Sequence, residues 1–180
     1  MAALLALYAG YYWGNRQVVR EIPASLLRLP APLALAPFEL LDQDGETFTN
    51  SHLNGRWSLL LSGRPPPWEA TRDRLTLAAR VRNRLAVDPG LQRRLQVLFV
   101  YLGPEEGRPP DLGEQIRFHG ERFITLEDPP SATAPLASPP GIRLIGPRGR
   151  LLGTFPDRSN PAAMAQEIIR LARSPDPAAE

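Results

Sequence analysis

Two largely apolar runs, Trp57 to Leu61 and Leu95 to Leu102, each interrupted once, by Ser58 and by Gln96, stand out along this chain. A run with no polar face predicts a strand buried on both sides. Between them, Leu75, Ala78, Ala79 and Leu85, with Val81 close by, fall on one face at helical spacing, which predicts a helix after Trp68 to about Leu85. Strand, helix and strand in that order make a βαβ unit, so the sheet contains parallel strands. Shorter signals surround this unit. Phe38 to Phe48 alternates about Asp44-Gly45, a hairpin turn pair, and Asn54-Gly55 is a second turn. Asp88-Pro89-Gly90 reads as a turn. Asp111 is placed to cap a short helix to about Phe118, ahead of a short strand at Phe123 to Leu126. Ile142–Ile145 and Leu151–Phe155 flank Gly146-Pro147-Arg148-Gly149 as a second hairpin. Asn160 caps a last helix with Pro161 at its first position, and Met164, Ile168 and Leu171 form its core face. The fold class expected is α/β, a central mixed sheet flanked by helices.

The ends are patterned differently. Residues 1–13 carry no charge and finish on Tyr11, Tyr12 and Trp13, as an interfacial aromatic belt would. The run is shorter than the roughly 20 residues of a spanning helix, and it lacks the basic leader and cleavage site of a signal peptide. Three readings stand: the end of an uncleaved anchor whose true start lies upstream of Met1, a short or tilted anchor, or an apolar helix packed on the domain or a partner. Arg16 and Arg20 on the domain side run against the positive-inside tendency if the domain is extracytoplasmic. Pro23, Pro30, Pro32 and Pro37 mark residues 22–37 as a semi-rigid spacer. The organisation expected is therefore an apolar anchor segment at 1–21, a Pro-rich linker at 22–37, a domain at 38–173 and a frayed tail at 174–180. Residues 127–141, rich in Pro, Ala and Ser, read as an irregular loop.

Composition removes several chemistries. The chain has no cysteine, which excludes thiol catalysis, thiolate metal sites, disulfides and a lipid anchor on an N-terminal cysteine. A net charge of +2 demands no nucleic-acid partner. All 21 basic residues are arginine. Between Arg64 and Arg84 six arginines face two carboxylates. That face fits an acidic partner or anionic lipid, and the plain alternative is a solvated helix surface. His52 and His119 both read as surface or turn residues. No Gly-x-Ser-x-Gly elbow, phosphate loop or clustered His, Asp and Glu supports hydrolysis or metal binding. No cofactor is expected.

The residues from Trp57 to Leu75 are organised as strand, tight loop and helix start, the junction that holds reactive cysteines in thioredoxin-like domains. The order of elements from about residue 37 to 173 resembles a thioredoxin-like domain of the SCO/SenC family, the copper chaperones of cytochrome c oxidase assembly. Four motifs carry the resemblance: Phe38, Leu40, Asp42 and Gly45; Gly55-Arg56-Trp57; Phe99 to Pro104, with Gly103 where the family has Asp; and Arg143 to Leu151. Counted from Gly63, and supported by Leu75, the family's two cysteine positions fall on Pro67 and Thr71. The copper-binding histidine falls near Ser138. Pro139 or Pro140 stands where thioredoxin-like folds often keep a cis-proline, or is an ordinary loop proline.

Proline offers Cu(I) no side-chain ligand and threonine only a hard neutral hydroxyl. The resemblance therefore implies a degenerate member with a pseudo-active site, without disulfide exchange or family-type copper transfer. The expected function is non-catalytic and membrane-anchored, a scaffold or accessory factor in respiratory oxidase assembly. The expected location is the bacterial inner membrane with the domain facing the periplasm. The expected partner is an oxidase subunit or assembly factor, met through Arg64, Pro65, Pro66, Pro67, Trp68, Arg72, Arg80 and Arg84. Trp68 is either an exposed anchor or packed under the loop. The competing readings are a metal-binding or hydrolytic enzyme using His52 or His119, and a structural membrane protein unrelated to oxidases.

Overall fold

A computed structural model describes residues 26–63, 68–103, 109–127 and 141–174. The two apolar runs are β4 (Trp57–Gly63) and β5 (Leu95–Tyr101), parallel neighbours in register from Trp57 opposite Leu95 to Gly63 opposite Tyr101. Both are buried on both faces, as a strand without a polar side must be. β6 (Phe123–Glu127) continues the parallel run beside β5. β7 (Ile142–Ile145) lies antiparallel to β4, and β8 (Arg150–Phe155) antiparallel to β7. β2 (Glu39–Asp42) and β3 (Thr47–Thr49) form the first hairpin, and β2 pairs with β6. Its turn needs the left-handed φ of +78° that Gly45 supplies, and the Asp42 carboxylate accepts hydrogen bonds from the backbone N–H groups of Asp44 and Glu46.

The eight strands follow the order β1-β8-β7-β4-β5-β6-β2-β3. β1 is a correction to the expected linker. Residues 27–34 are not a free spacer but a strand (Leu27–Ala34) on the outer edge of β8, with Leu27 opposite Thr154 and Ala34 opposite Arg150. The register slips between Arg28 and Leu33, around Pro30 and Pro32. Missing donors are tolerated at an edge or an irregularity, so the prolines that suggested a spacer are compatible with a strand in this position. The Arg28 guanidinium donates to Glu167, tying the edge to the last helix.

The helices are α1 (Glu69–Arg84), α2 (Pro89–Arg94), α3 (Leu112–Arg117) and α4 (Pro161–Arg173). All four put buried side chains into one core with Leu59, Leu61, Val97 and Phe99. A second cluster on the other face joins Phe38, Leu40, Phe48 and Leu53 to Leu60, Leu98 and Val100. This is the thioredoxin-like α/β arrangement, a mixed central sheet flanked by helices.

Two local readings change. Asp88-Pro89-Gly90 opens α2 instead of forming a simple turn: the Asp88 carboxylate accepts from Leu91 N–H at 3.0 Å and Pro89 takes the first helical position. Asp111 does precede α3, but its carboxylate accepts from Gln115 Nε2 at 2.7 Å instead of from a backbone N–H. The Asn160 cap is as expected, accepting from Ala162 and Ala163 N–H at 2.8 and 3.2 Å. Within α1, Leu77 joins the buried face while Ala79 is half-buried, because the helix lies between the sheet and α4.

Candidate functional site

The parallel strands give the domain two poles. β4, β5 and β6 end at one, where α1 begins. They start at the other, where α1 ends. The degenerate site lies at the first. Arg64, Pro65, Pro66, Pro67 and Ser138 lie outside the described residues, as do Pro139 and Pro140. Of the positions read as ligand-derived, Thr71 is therefore the one the structure places, and it is buried in the third helical position of α1. A methyl group added at Gly63 would meet Thr71 Oγ1 at 3.1 Å and the Phe99 ring at 3.3 Å. The Thr71 side chain thus turns inward, against the end of β4 and the ring of Phe99.

Trp68 precedes α1 with helical backbone angles and makes no side-chain cap bond. It is half-buried and packs on the main core, which favours the packed over the fully exposed reading. Its carbonyl accepts from Arg72 N–H at 2.8 Å.

Sequence reasoning missed two features of this pole. Arg74, read as one more cation on the Arg-rich face, sends Nε and Nη2 to the two carboxylate oxygens of Asp157, each at 2.8 Å, and Nη1 to Ser62 O at 3.2 Å. It ties α1 to β4 and to the connection before α4. Nothing in local sequence links residues 83 apart. The second feature is at the family's Asp position. Tyr101 is buried, and its phenol lies over Gly103, filling the place where any β-carbon at residue 103 would sit. The absence of a side chain there makes room for the phenol.

The expected arginine surface is split. Arg72 is exposed at the pole of the degenerate site. Arg80 and Arg84, also exposed, lie in the last turns of α1, and Arg84 is about 18 Å from Arg72 at 1.5 Å per residue. The eight residues read as one binding surface therefore do not lie at one end of the domain.

The histidines sit apart from Thr71 in other elements. His52 is exposed in a short 3₁₀ turn (Asn50–Leu53), where Nδ1 accepts from Thr49 N–H at 3.0 Å and the ring stacks on Phe48 at 4.8 Å. His119 follows α3, half-buried, its ring 5.6 Å from that of Phe123. Desolvation holds its pKa below the usual 6.5. An open cleft of about 660 Å³ lies between α3 and the β2–β3 turn, lined by Gln43, Asp44, Asp111, Glu114, Arg117 and Glu127 among others, with neither histidine. Arg117 donates to Asp44 across it at 2.6 Å, and Gln43 Oε1 accepts from Thr125 N–H at 2.7 Å. Among the described residues no three His, Asp or Glu side chains are grouped to hold a metal ion. Arg143 is a buried cation in β7, its pKa lowered to about 10 by desolvation. Among the described residues no helix is long and apolar enough to cross a membrane.

A thioredoxin-like domain whose helix-start site carries threonine in a cysteine-free chain defines the class. The family model for SCO1/SenC matches residues 29–139, well over half the chain, and the protein belongs to that family. The match starts inside β1, earlier than the resemblance at residue 37 implied. The fold is similar to that of ScoI from Arabidopsis thaliana with copper bound, at 17% identity and a TM-score of 0.67, covering 77% of this chain and 98% of that one. Yeast Sco1 with copper bound is similar at 20% identity and a TM-score of 0.65, covering 82% and 92%. BsSco, described as a member of the Sco family of cytochrome c oxidase assembly proteins, is similar at 14% identity and a TM-score of 0.58, covering 84% and 100%. No curated protein sequence matches the chain.

Proposed function

We propose that this protein is a membrane-anchored, non-catalytic SCO1/SenC domain that serves as an accessory or scaffold factor in respiratory cytochrome c oxidase assembly. The observation that carries the reading is a family domain in a chain without a single thiol, with a buried threonine at the helix-start site. The thiolate is the nucleophile of disulfide exchange and the soft ligand Cu(I) prefers, and a hydroxyl replaces it in neither role. Oxidase assembly is the task described for BsSco, and shared family membership brings it to this chain. The apolar, uncharged residues 1–13 supply the anchor in this reading, at the bacterial inner membrane with the domain in the periplasm. The protein partner, an oxidase subunit or assembly factor, meets the pole of Trp68 and Arg72, together with the Arg64 to Pro67 stretch of the sequence.

The test is affinity purification of the full chain from its own membranes, paired with oxidase activity after gene deletion. Oxidase subunits or assembly factors co-purify, and activity falls on deletion. Isolation of the protein alone with unchanged oxidase activity would overturn the reading. A Cu(I) titration addresses the chemistry separately: stoichiometric binding that persists in the His52→Ala, His119→Ala variant would contradict a copper-free role.

A further inference from the structure

The opposite pole carries a feature that oxidase assembly does not explain. Four chain segments meet where β4, β5 and β6 begin: residues 54–56, 82–94, 117–122 and 146–150. They hold nine of the 21 arginines in 27 of the 180 residues, against two carboxylates of their own, Asp88 and Glu121; one of the nine, Arg117, is paired with Asp44 of the β2–β3 turn, which leaves eight outside that pair. One of the two, Asp88, is engaged in capping α2. Arg84, Arg93 and Arg94 are exposed, and Arg122 is half-buried beside them in the chain leading into β6. The two most exposed large apolar side chains of the described residues stand at the same pole: Phe118, 90% exposed, and Val87, 79% exposed. They come from separate connections, the end of α3 and the link between α1 and α2.

We propose that this pole is a docking surface for anionic lipid headgroups, with Val87 and Phe118 entering the bilayer interface between the arginines. Isolated apolar side chains on loop tips, set among cations, suit a surface that accepts each one separately. A protein interface instead seats its aromatic anchors in a contiguous packed centre, whereas here the two exposed apolar side chains come from two separate connections. The site is independent of Thr71 and of oxidase assembly. It is also compatible with an anchor at the other end of the domain. Leu27 enters the sheet at the pole of the degenerate site, and twelve residues lie between Trp13 and Leu26. The thirteen residue steps from Trp13 to Leu26 reach at most about 45 Å, about twice the length of a seven-residue strand, so anchor and basic pole can meet one bilayer.

The cysteine-free chain makes the test direct. Val87→Cys, Phe118→Cys and, as control, Asp73→Cys at the opposite pole are each labelled with an environment-sensitive fluorophore in the full chain. Vesicles of phosphatidylcholine are compared with vesicles containing about 30% phosphatidylglycerol, the anionic component the surface requires. Labels at 87 and 118 brighten and are quenched by brominated lipid only with the anionic vesicles, and the response is lost in about 0.5 M salt. The label at 73 does not respond. Adding Arg93→Glu and Arg94→Glu, both surface changes, lowers the docking equilibrium that the labels at 87 and 118 report on anionic vesicles at least about 25-fold, about fivefold per arginine. No response at 87 or 118, or an equal response to neutral vesicles, overturns the proposal. An equal response to soluble polyglutamate overturns it in favour of an acidic protein partner.

Discussion

Arg74 and Asp157 form a two-pronged ion pair across 83 residues, with both contacts at 2.8 Å, and the same guanidinium holds Ser62 O. One side chain thus fixes the start of α1 against the end of β4 and the β8–α4 connection. Arg74 is mostly buried and Asp157 partly exposed, so the pair is stronger than a surface bridge and weaker than a fully desolvated one. Arg74→Ala is expected to cost about 1–2 kcal/mol, more than Asp157→Ala, because it also strips the Ser62 carbonyl. Urea unfolding of both single variants and the double variant gives the coupling. A coupling energy of zero would show that the pair adds nothing.

β4, β5, α1 and α4 were legible because burial writes itself into the chain as nearly unbroken apolar runs or as a helical stripe. β1 was not, because Pro30 and Pro32 carry the signature of a spacer, and only the distant edge of β8 makes a strand of them. α2 was hidden because Pro89-Gly90 signals a turn equally well, and its buried anchor is a single residue, Leu91. At the degenerate site the missing thiols were readable from composition alone. The inward direction of Thr71, the Arg74–Asp157 pair and the Tyr101–Gly103 fit were not, since each depends on residues brought together by the fold. The pole of Val87 and Phe118 has the same origin: its arginines come from four segments that look ordinary one at a time.

The placement of β1 separates two expectations for truncation. If residues 22–37 were only a spacer, a chain starting at residue 38 would be as stable as one starting at residue 22. With β1 paired to β8 and Arg28 bound to Glu167, the shorter chain loses its edge strand and bares the edge of β8. Its thermal midpoint is expected to drop by roughly 5 °C or more, with a rise in aggregation. Equal midpoints for the two chains would mean that β1 contributes no stability.

Tyr101 and Gly103 are a matched pair. A β-carbon at residue 103 would overlap the Tyr101 phenol, and that ring is buried and not free to swing away. Gly103→Ala is expected to destabilise by about 1–3 kcal/mol, the usual range for overpacking. Tyr101→Leu with Gly103→Ala removes the overlap, so the double variant should lose less than the sum of the single changes. Additive losses, measured by denaturant unfolding, would place the cost of Gly103→Ala elsewhere, in backbone conformation.

His119 gives stability a pH dependence whose sign follows from its burial. Its ring lies against Phe123 and edge-on to Phe118, and desolvation lowers its pKa below the unfolded value of 6.5. The neutral ring is therefore the form the fold prefers. Between the folded and unfolded pKa values the unfolded chain binds more protons, so stability rises with pH there. This contribution is fully present above pH 6.5, declines as the pH falls through 6.5, and levels off below the folded pKa. Glutamine cannot titrate, so His119→Gln should flatten the dependence in that window while leaving the carboxylate-driven loss at lower pH in place. Urea midpoints of wild type and variant, compared across mildly acidic pH, measure the difference directly. Parallel curves through that window would assign no part of the dependence to His119.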